Sequence, residues 1–160
     1  MEFNNYDKDG VDSIVLESTY SEGDNTKLEV GSQVYNAEGT SKDKIIFRGE
    51  ELDATLIQTW EILSGMERED IGGYCCNTSC TSSDKYDLVG AHVVYSKDDT
   101  KIKIGDSFML IPLCRGCNSS GPKKAIILRQ TIYAPNLTWT GKKQILDSEK
   151  VNERTRVYFM

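Results

Sequence analysis

The sequence holds no apolar run approaching the ~20 residues that span a bilayer, no internal repeat and no low-complexity tract. Its first ten residues show no basic stretch followed by an apolar one, so no secretory signal pattern is visible. Together these absences leave a soluble chain with a cytoplasmic address, and no membrane partner, as the expectation. Histidine is nearly missing too, with His92 the single copy in 160 residues. Hydrophobic residues make up 38% and charged ones 28%, the balance of an ordinary globular chain, and this length predicts one domain.

What is present gathers around that histidine. All five cysteines fall in two tight clusters: Cys75, Cys76 and Cys80 before it, Cys114 and Cys117 after it. A disulfide framework suits small secreted chains with little core. The odd count, the clustering and a length able to bury about two thirds of the unfolded surface all oppose that reading. Two separated cysteine groups, the second spaced Cys-x2-Cys, predict a single tetrahedral structural Zn²⁺ instead. Cys75 to Cys80 and Cys76 to Cys80 both have usable spacing, so either Cys75 or Cys76 is the ligand and the other is a small buried hydrophobe.

Charge is unevenly spread. Residues 1–74 carry 17 acids and 6 bases, net −11; residues 75–160 carry 8 acids and 13 bases, net +5. Between residues 101 and 146 Asp106 is the only acid, against Lys101, Lys103, Arg115, Lys123, Lys124, Arg129, Lys142 and Lys143. A basic half that also carries the cysteines suits a phosphate backbone, DNA or RNA, with Arg115, Lys123, Lys124, Lys142 and Lys143 as contacts. Solvated surface is the competing reading, since lysines also guard strand edges against aggregation.

Along the chain, residues 1–26 read as a loosely ordered acidic leader and residues 27–160 as one zinc-binding α+β domain. Asn5, Asp7, Asp9 and Gly10 imitate the start of a calcium loop, but Leu16 stands where that loop needs a bidentate glutamate. Short strands are predicted at 27–30, 32–35 and 44–48, and a helix at 50–64, where Leu52, Leu56, Trp60 and Leu63 form one stripe. Glu50, Glu51 and Asp53 would sit in its first turn, with Gly65 ending it. Residues 86–95 alternate, with Leu88, Gly90, His92 and Val94 on one face. Residues 108–113 return as a second strand into Cys114, with strand character also at 101–104. A short helical turn after Cys117 must stop at Gly121-Pro122. Residues 125–133 read as a strong strand and 156–160 as a last edge strand. Sequons at Asn77, Asn118 and Asn136 read as chance.

This order of knuckle, hairpin and Cys-x2-Cys at the mouth of a helical turn resembles the treble-clef zinc finger. Within that group, Cys-x3/4-Cys, then Gly90-Ala91-His92-Val93, then Pro112-Leu113-Cys114-Arg115-Gly116-Cys117-Asn118 resembles the HNH endonuclease family over about residues 75–120. The resemblance implies a ββα hairpin braced by a structural Zn²⁺. It implies His92 as general base and Asn118 as a ligand of a catalytic Mg²⁺ or Mn²⁺. The sequence departs from that pattern in two places. Ala91 stands where the family has a metal ligand, and an Ala methyl cannot coordinate Mg²⁺. The middle Asn of the family falls near Met109, with Asp106 the nearest polar residue.

His92 therefore has three readings: the base of a divergent nuclease, a fourth ligand in a Cys₃His site, or a hydrogen-bond partner of a cysteine sulfur or a backbone carbonyl. For the whole chain the leading expectation is a zinc-stabilised HNH-like module that binds nucleic acid without cutting it. A metal-dependent endonuclease with His92, Asn118 and Asp106 is the first alternative. A protein-interaction module acting through the acidic half is the second.

Overall fold

Pairing between segments far apart in sequence organises this chain. A computed structural model describes residues 13–38 and 43–146. Strands β1 (Ser13–Leu28), β2 (Gln33–Asn36), β3 (Lys44–Phe47) and β4 (Glu50–Glu51) come first, followed by helix α1 (Leu56–Ser64). A 3-10 turn at Arg68–Ile71 and a cysteine-bearing loop lead to β5 (Leu88–Val94) and β6 (Ser107–Cys114). Helix α2 (Arg115–Asn118), β7 (Ile126–Ile127) and β8 (Ile132–Leu146) follow. The strands form one sheet in the order β4-β3-β1-β8-β6-β5-β2-β7. Among the described strand pairs only β1–β3 is parallel. The molecule is a mixed α+β domain, rich in sheet, with two α-helices among the described residues.

Two expectations change here. Residues from Ser13 onward are not loose leader: β1 pairs with β8 from Ser13↔Leu146 to Leu28↔Ile132, with register shifts after Leu16 and Tyr20. The remainder of the leader, and with it Asn5, Asp7, Asp9 and Gly10, lies outside the described residues, as does the strand expected at 156–160. The helix expected from residue 50 begins at Leu56 instead, because Glu50 and Glu51 pair with Phe47 and Ile46 as an edge strand. Thr55 caps it: its hydroxyl accepts from Gln58 N–H at 3.2 Å, and the Gln58 side chain accepts from Thr55 N–H at 2.9 Å. This reciprocal cap, with no acid in the first turn, starts the helix. Gly65 ends it in the left-handed conformation, as its position predicts.

Helix α1 lies across the face of β5 that holds Gly90. A Cβ on Gly90 would stand 2.5 Å from the Leu56 carbonyl carbon and 2.6 Å from its oxygen, so only glycine permits this approach. Trp60 is fully buried and its Nε1 donates to Tyr133 O at 2.9 Å. At the helix end, Tyr20 Oη and Asn25 Nδ2 donate to Leu63 O at 3.3 and 3.0 Å. Those bonds tie α1 to β1 and satisfy a terminal carbonyl. The core beneath joins Ile57, Trp60 and Leu63 to Phe108, Leu110, Ile111, Ile132 and Leu137. Each such apolar side chain stabilises the fold by about 1.5–3 kcal/mol.

Candidate metal centre

The β5–β6 hairpin places the two cysteine clusters together. Leu88 pairs with Cys114 at the open end of the hairpin, and the cysteine loop enters β5 at that same end. Cys114 is also the N-cap of α2: its Sγ accepts from Cys117 N–H at 3.4 Å. Gly116 keeps this turn close to the first loop, since a Cβ there would stand 2.9 Å from Ser82 Oγ. The turn expected after Cys117 begins earlier, spanning Arg115–Asn118, and stops before Gly121-Pro122.

The Sγ atoms of Cys75, Cys80, Cys114 and Cys117 all lie within 4.8 Å of one another, and those of Cys80 and Cys114 are 3.6 Å apart. A tetrahedral ion with metal–sulfur bonds of about 2.3 Å separates its sulfurs by about 3.8 Å, so the four thiols fit such an ion. All five cysteines are free, which sets the disulfide reading aside. Between the two candidates in the first cluster, Cys75 joins the group and Cys76 does not. Cys76 is fully buried, and burial pushes its thiol up to about 12, so it remains a protonated, apolar filler at neutral pH.

The loop is held by polar groups on all sides. Asn77 is buried; its Oδ1 accepts from Ser79 N–H at 3.1 Å and Ile127 N–H at 3.2 Å, and its Nδ2 donates to Cys117 Sγ at 3.5 Å. A buried Asn77 is no glycan acceptor, in keeping with the sequon as chance. Arg129 clamps the loop from below. Its guanidinium donates to the carbonyls of Ile71, Tyr74 and Cys75 at 3.0, 3.3 and 3.2 Å and lies 3.9 Å from the centre of the Tyr74 ring. Its backbone N–H donates to Cys76 O at 2.8 Å. The sequence presents Arg129 only as one cation of a basic run. The fold spends it on the knuckle.

Thiol chemistry follows from burial. Desolvation raises Cys75, and it raises Cys117 to about 11 against the opposing Asn77 amide. At Cys80 burial also disfavours the thiolate, but the Ser82 N–H and neighbouring thiols outweigh it and the net shift is downward. An ion binding all four must therefore displace protons, which makes its affinity fall with pH.

His92 stands apart from this centre. It pairs with Leu110, four residues along β5 from Leu88, about 13 Å at strand rise. It belongs to no four-ligand group with the cysteines, so neither the Cys₃His reading nor a bond to cysteine sulfur describes it. Its ring packs edge-on against Phe108 at 4.7 Å, and its Nε2 lies 3.0 Å from Asp43 Oδ1. Asp43, just before β3, is a neighbour that no sequence signal singles out. No hydrogen bond or ion pair joins His92 to Asn118 or Asp106 among the described residues. Asn118 is exposed at the end of α2, Asp106 Oδ2 accepts from Lys103 N–H at 2.9 Å, and the Ala91 methyl is packed in the core.

The expected phosphate contacts scatter. Arg115 is exposed and paired with Asp87 at 2.9 Å, a surface ion pair of little energetic weight. Lys123 and Lys124 are exposed between α2 and β7. Lys142 and Lys143 lie in β8, with side chains outside the described residues. No described helix is long and apolar enough to cross a membrane. Searches of protein families, characterised proteins and solved structures match nothing to this chain.

Proposed function

We propose that Cys75, Cys80, Cys114 and Cys117 hold a structural Zn²⁺, and that the chain is an HNH-like treble-clef module that binds DNA or RNA through its basic C-terminal half without cutting it. The four converging thiols carry this reading. Four thiolates fill a tetrahedral ion and leave no position for substrate, so the metal braces the fold and performs no chemistry. The succession of loop, hairpin and one-turn helix around those thiols supports the treble-clef reading.

The binding half of the proposal rests on lysines that gather in one groove. Lys97, Lys101, Lys103 and Lys123 share with Tyr95 an open groove of about 1010 Å³ between the hairpin tip and the loop after α2. Glu38, Asp98, Asp99 and Asp106 also border it, matching the four lysines in number, so the groove carries no net charge and any attraction comes from the lysines individually. Of these, Glu38 already accepts from Thr100 and Asp106 from Lys103 N–H. The nuclease alternative needs Asn118 or Asp106 beside His92, and neither contacts it; that favours binding over cleavage.

Single-stranded and duplex oligonucleotides titrated at rising salt test the proposal. Engagement of about four lysines weakens binding on the order of 100-fold between 50 and 200 mM salt. The double change Lys123→Glu, Lys124→Glu should weaken it at every salt concentration. A flat salt response would favour the protein-interaction reading, and plasmid cleavage with Mg²⁺ or Mn²⁺ that His92→Ala abolishes would restore the nuclease.

A further inference from the structure

Of the four thiols that converge, three are sealed in: Cys75, Cys114 and Cys117 are 3%, 0% and 8% exposed. Cys80 alone among them has partial access to solvent. It lies in the loop between Ile71 and Leu88, flanked by the exposed residues Thr78, Ser79 and Thr81. The sealed thiols are also the better anchored. Cys114 closes β6 opposite Leu88 and its Sγ accepts from Cys117 N–H. Cys117 sits in α2 with its Sγ accepting from the Asn77 amide, and Cys75 N–H donates to Lys85 O at 2.9 Å. Cys80 N–H reaches back only to Asn77 O, three residues away, at 3.1 Å.

An oxidant selects a sulfur by its thiolate character and its access. An ion held by all four makes each of them a thiolate, so access is what separates them. A stable product needs a second sulfur within reach. The Sγ atoms of Cys80 and Cys114 are in contact at 3.6 Å. A disulfide bond is about 2.05 Å long, so the pair must close by about 1.5 Å. The Cys80 loop can absorb that movement, because no strand or helix fixes it.

We propose that Cys80 is an oxidation site for hydroperoxides, with Cys114 as the thiol that closes on it. The site presumes the thiol-bound Zn²⁺ proposed above, and it is independent of nucleic-acid binding. The Cys80 thiolate attacks a peroxide oxygen, the O–O bond breaks, and hydroxide leaves Cys80 as a sulfenic acid. The Cys114 thiolate then attacks the Cys80 sulfur; the S–S bond forms, the S–O bond breaks, and a second hydroxide leaves. Two thiolates have given up two electrons and the peroxide has gained them. Cys76 takes no part, being fully buried and outside the group of four. With two ligands consumed, the site loses its hold on the ion.

Full-length protein is loaded with Zn²⁺ and its metal content measured before hydrogen peroxide is added in steps. A chain that takes up no zinc defeats the metal assignment and the oxidation site with it; a loaded chain tests Cys80 alone. Release of one ion, read with a chromogenic chelator, should accompany a fall in free thiols from five to three, two being consumed by the bridge. Trypsin cuts after Arg68, Lys85, Lys103 and Arg115, so a Cys80–Cys114 bridge links residues 69–85 to residues 104–115 and fragmentation identifies the sulfur. Dithiothreitol with added Zn²⁺ should restore both counts. Cys80→His keeps four donors as Cys₃His and should hold zinc while losing its release by peroxide. A first bridge that omits Cys80, zinc and five thiols that persist in excess peroxide, or release from Cys80→His as fast as from the wild type would each overturn the site. A Cys80 sulfenic acid trapped by dimedone with no bridge formed rejects Cys114 as its partner. Should Cys80→His fail to fold, the bridge mapped in the wild type decides.

Discussion

At the Cys114 end of the β5–β6 hairpin, sulfurs, carbonyls and an arginine are woven into a closed set of contacts, with Asn77 and Arg129 each serving several partners. At the His92 end, an acid and an imidazole of comparable burial face each other with no hydrogen bond between them. The two ends share the same pair of strands, so backbone geometry is not what separates them. The difference lies in what was assembled around each. One end recruits donors from the turn before it, from β7 and from the loop after β7. The other receives a single side chain from the segment before β3. The first end commits its polar groups to protein partners, whereas the second leaves both Asp43 oxygens and His92 Nε2 without a hydrogen bond among the described residues.

The sharpest way to break this comparison is to open the closed end. Cys114→Ser, or a strong chelator, should cost most of the fold's stability, since structural zinc contributes about 10–16 kcal/mol of apparent binding energy in small zinc domains. Metal content and thermal unfolding measured together check this, and a chain that keeps its melting temperature without metal would end the assignment. A smaller effect is expected from Arg129→Ala, which strands the carbonyls of Ile71, Tyr74 and Cys75 and should destabilise by about 2–4 kcal/mol. Chelator competition should then strip the metal faster. Arg129→Lys should recover little, because an ammonium lacks the planar fork.

The mildest test uses pH, and the two forms should respond with opposite sign. In the metal-free chain the Cys76 and Cys117 thiols are raised by burial to about 12 and about 11 from an ordinary value of 9.0. The unfolded chain then loses those protons first as pH rises, so metal-free stability falls from about pH 9 upward. In the loaded chain protons compete with the ion for sulfur, so stability falls as pH drops. Denaturant titrations of both forms across that range read the crossing directly.

How far the sequence foretold this arrangement depends on the distance over which each feature is encoded. The hairpin and the Cys-x2-Cys turn are local, carried by the strand read over 86–95 and by the cysteine spacing itself, and both were legible, although β5 is buried on both faces instead of alternating. The choice of Cys75 over Cys76 was not, because adjacent residues on a loop are separated only by which way the backbone turns. Thr55 and Gln58 held a readable helix start that the acidic stretch at 50–53 obscured. The strand expected over 125–133 survives only at Ile126–Ile127 before β8 resumes at Ile132. Between them Leu128 N–H bonds Ser32 O and Arg129 serves the knuckle. Asp43 could not be singled out, for it sits in a polar run with no period, and its importance comes from a strand more than 40 residues away.

One consequence of the longest strand pairing concerns the order of events during synthesis. Because Ser13 registers with Leu146, β1 is synthesised long before its main neighbour β8. The hairpin and its cysteines are complete before that partner exists, so β1 can meet β3 early while its other edge waits for β8. Closing so wide a loop is slow. Throughout that interval an extended edge stays bare and open to the wrong partner.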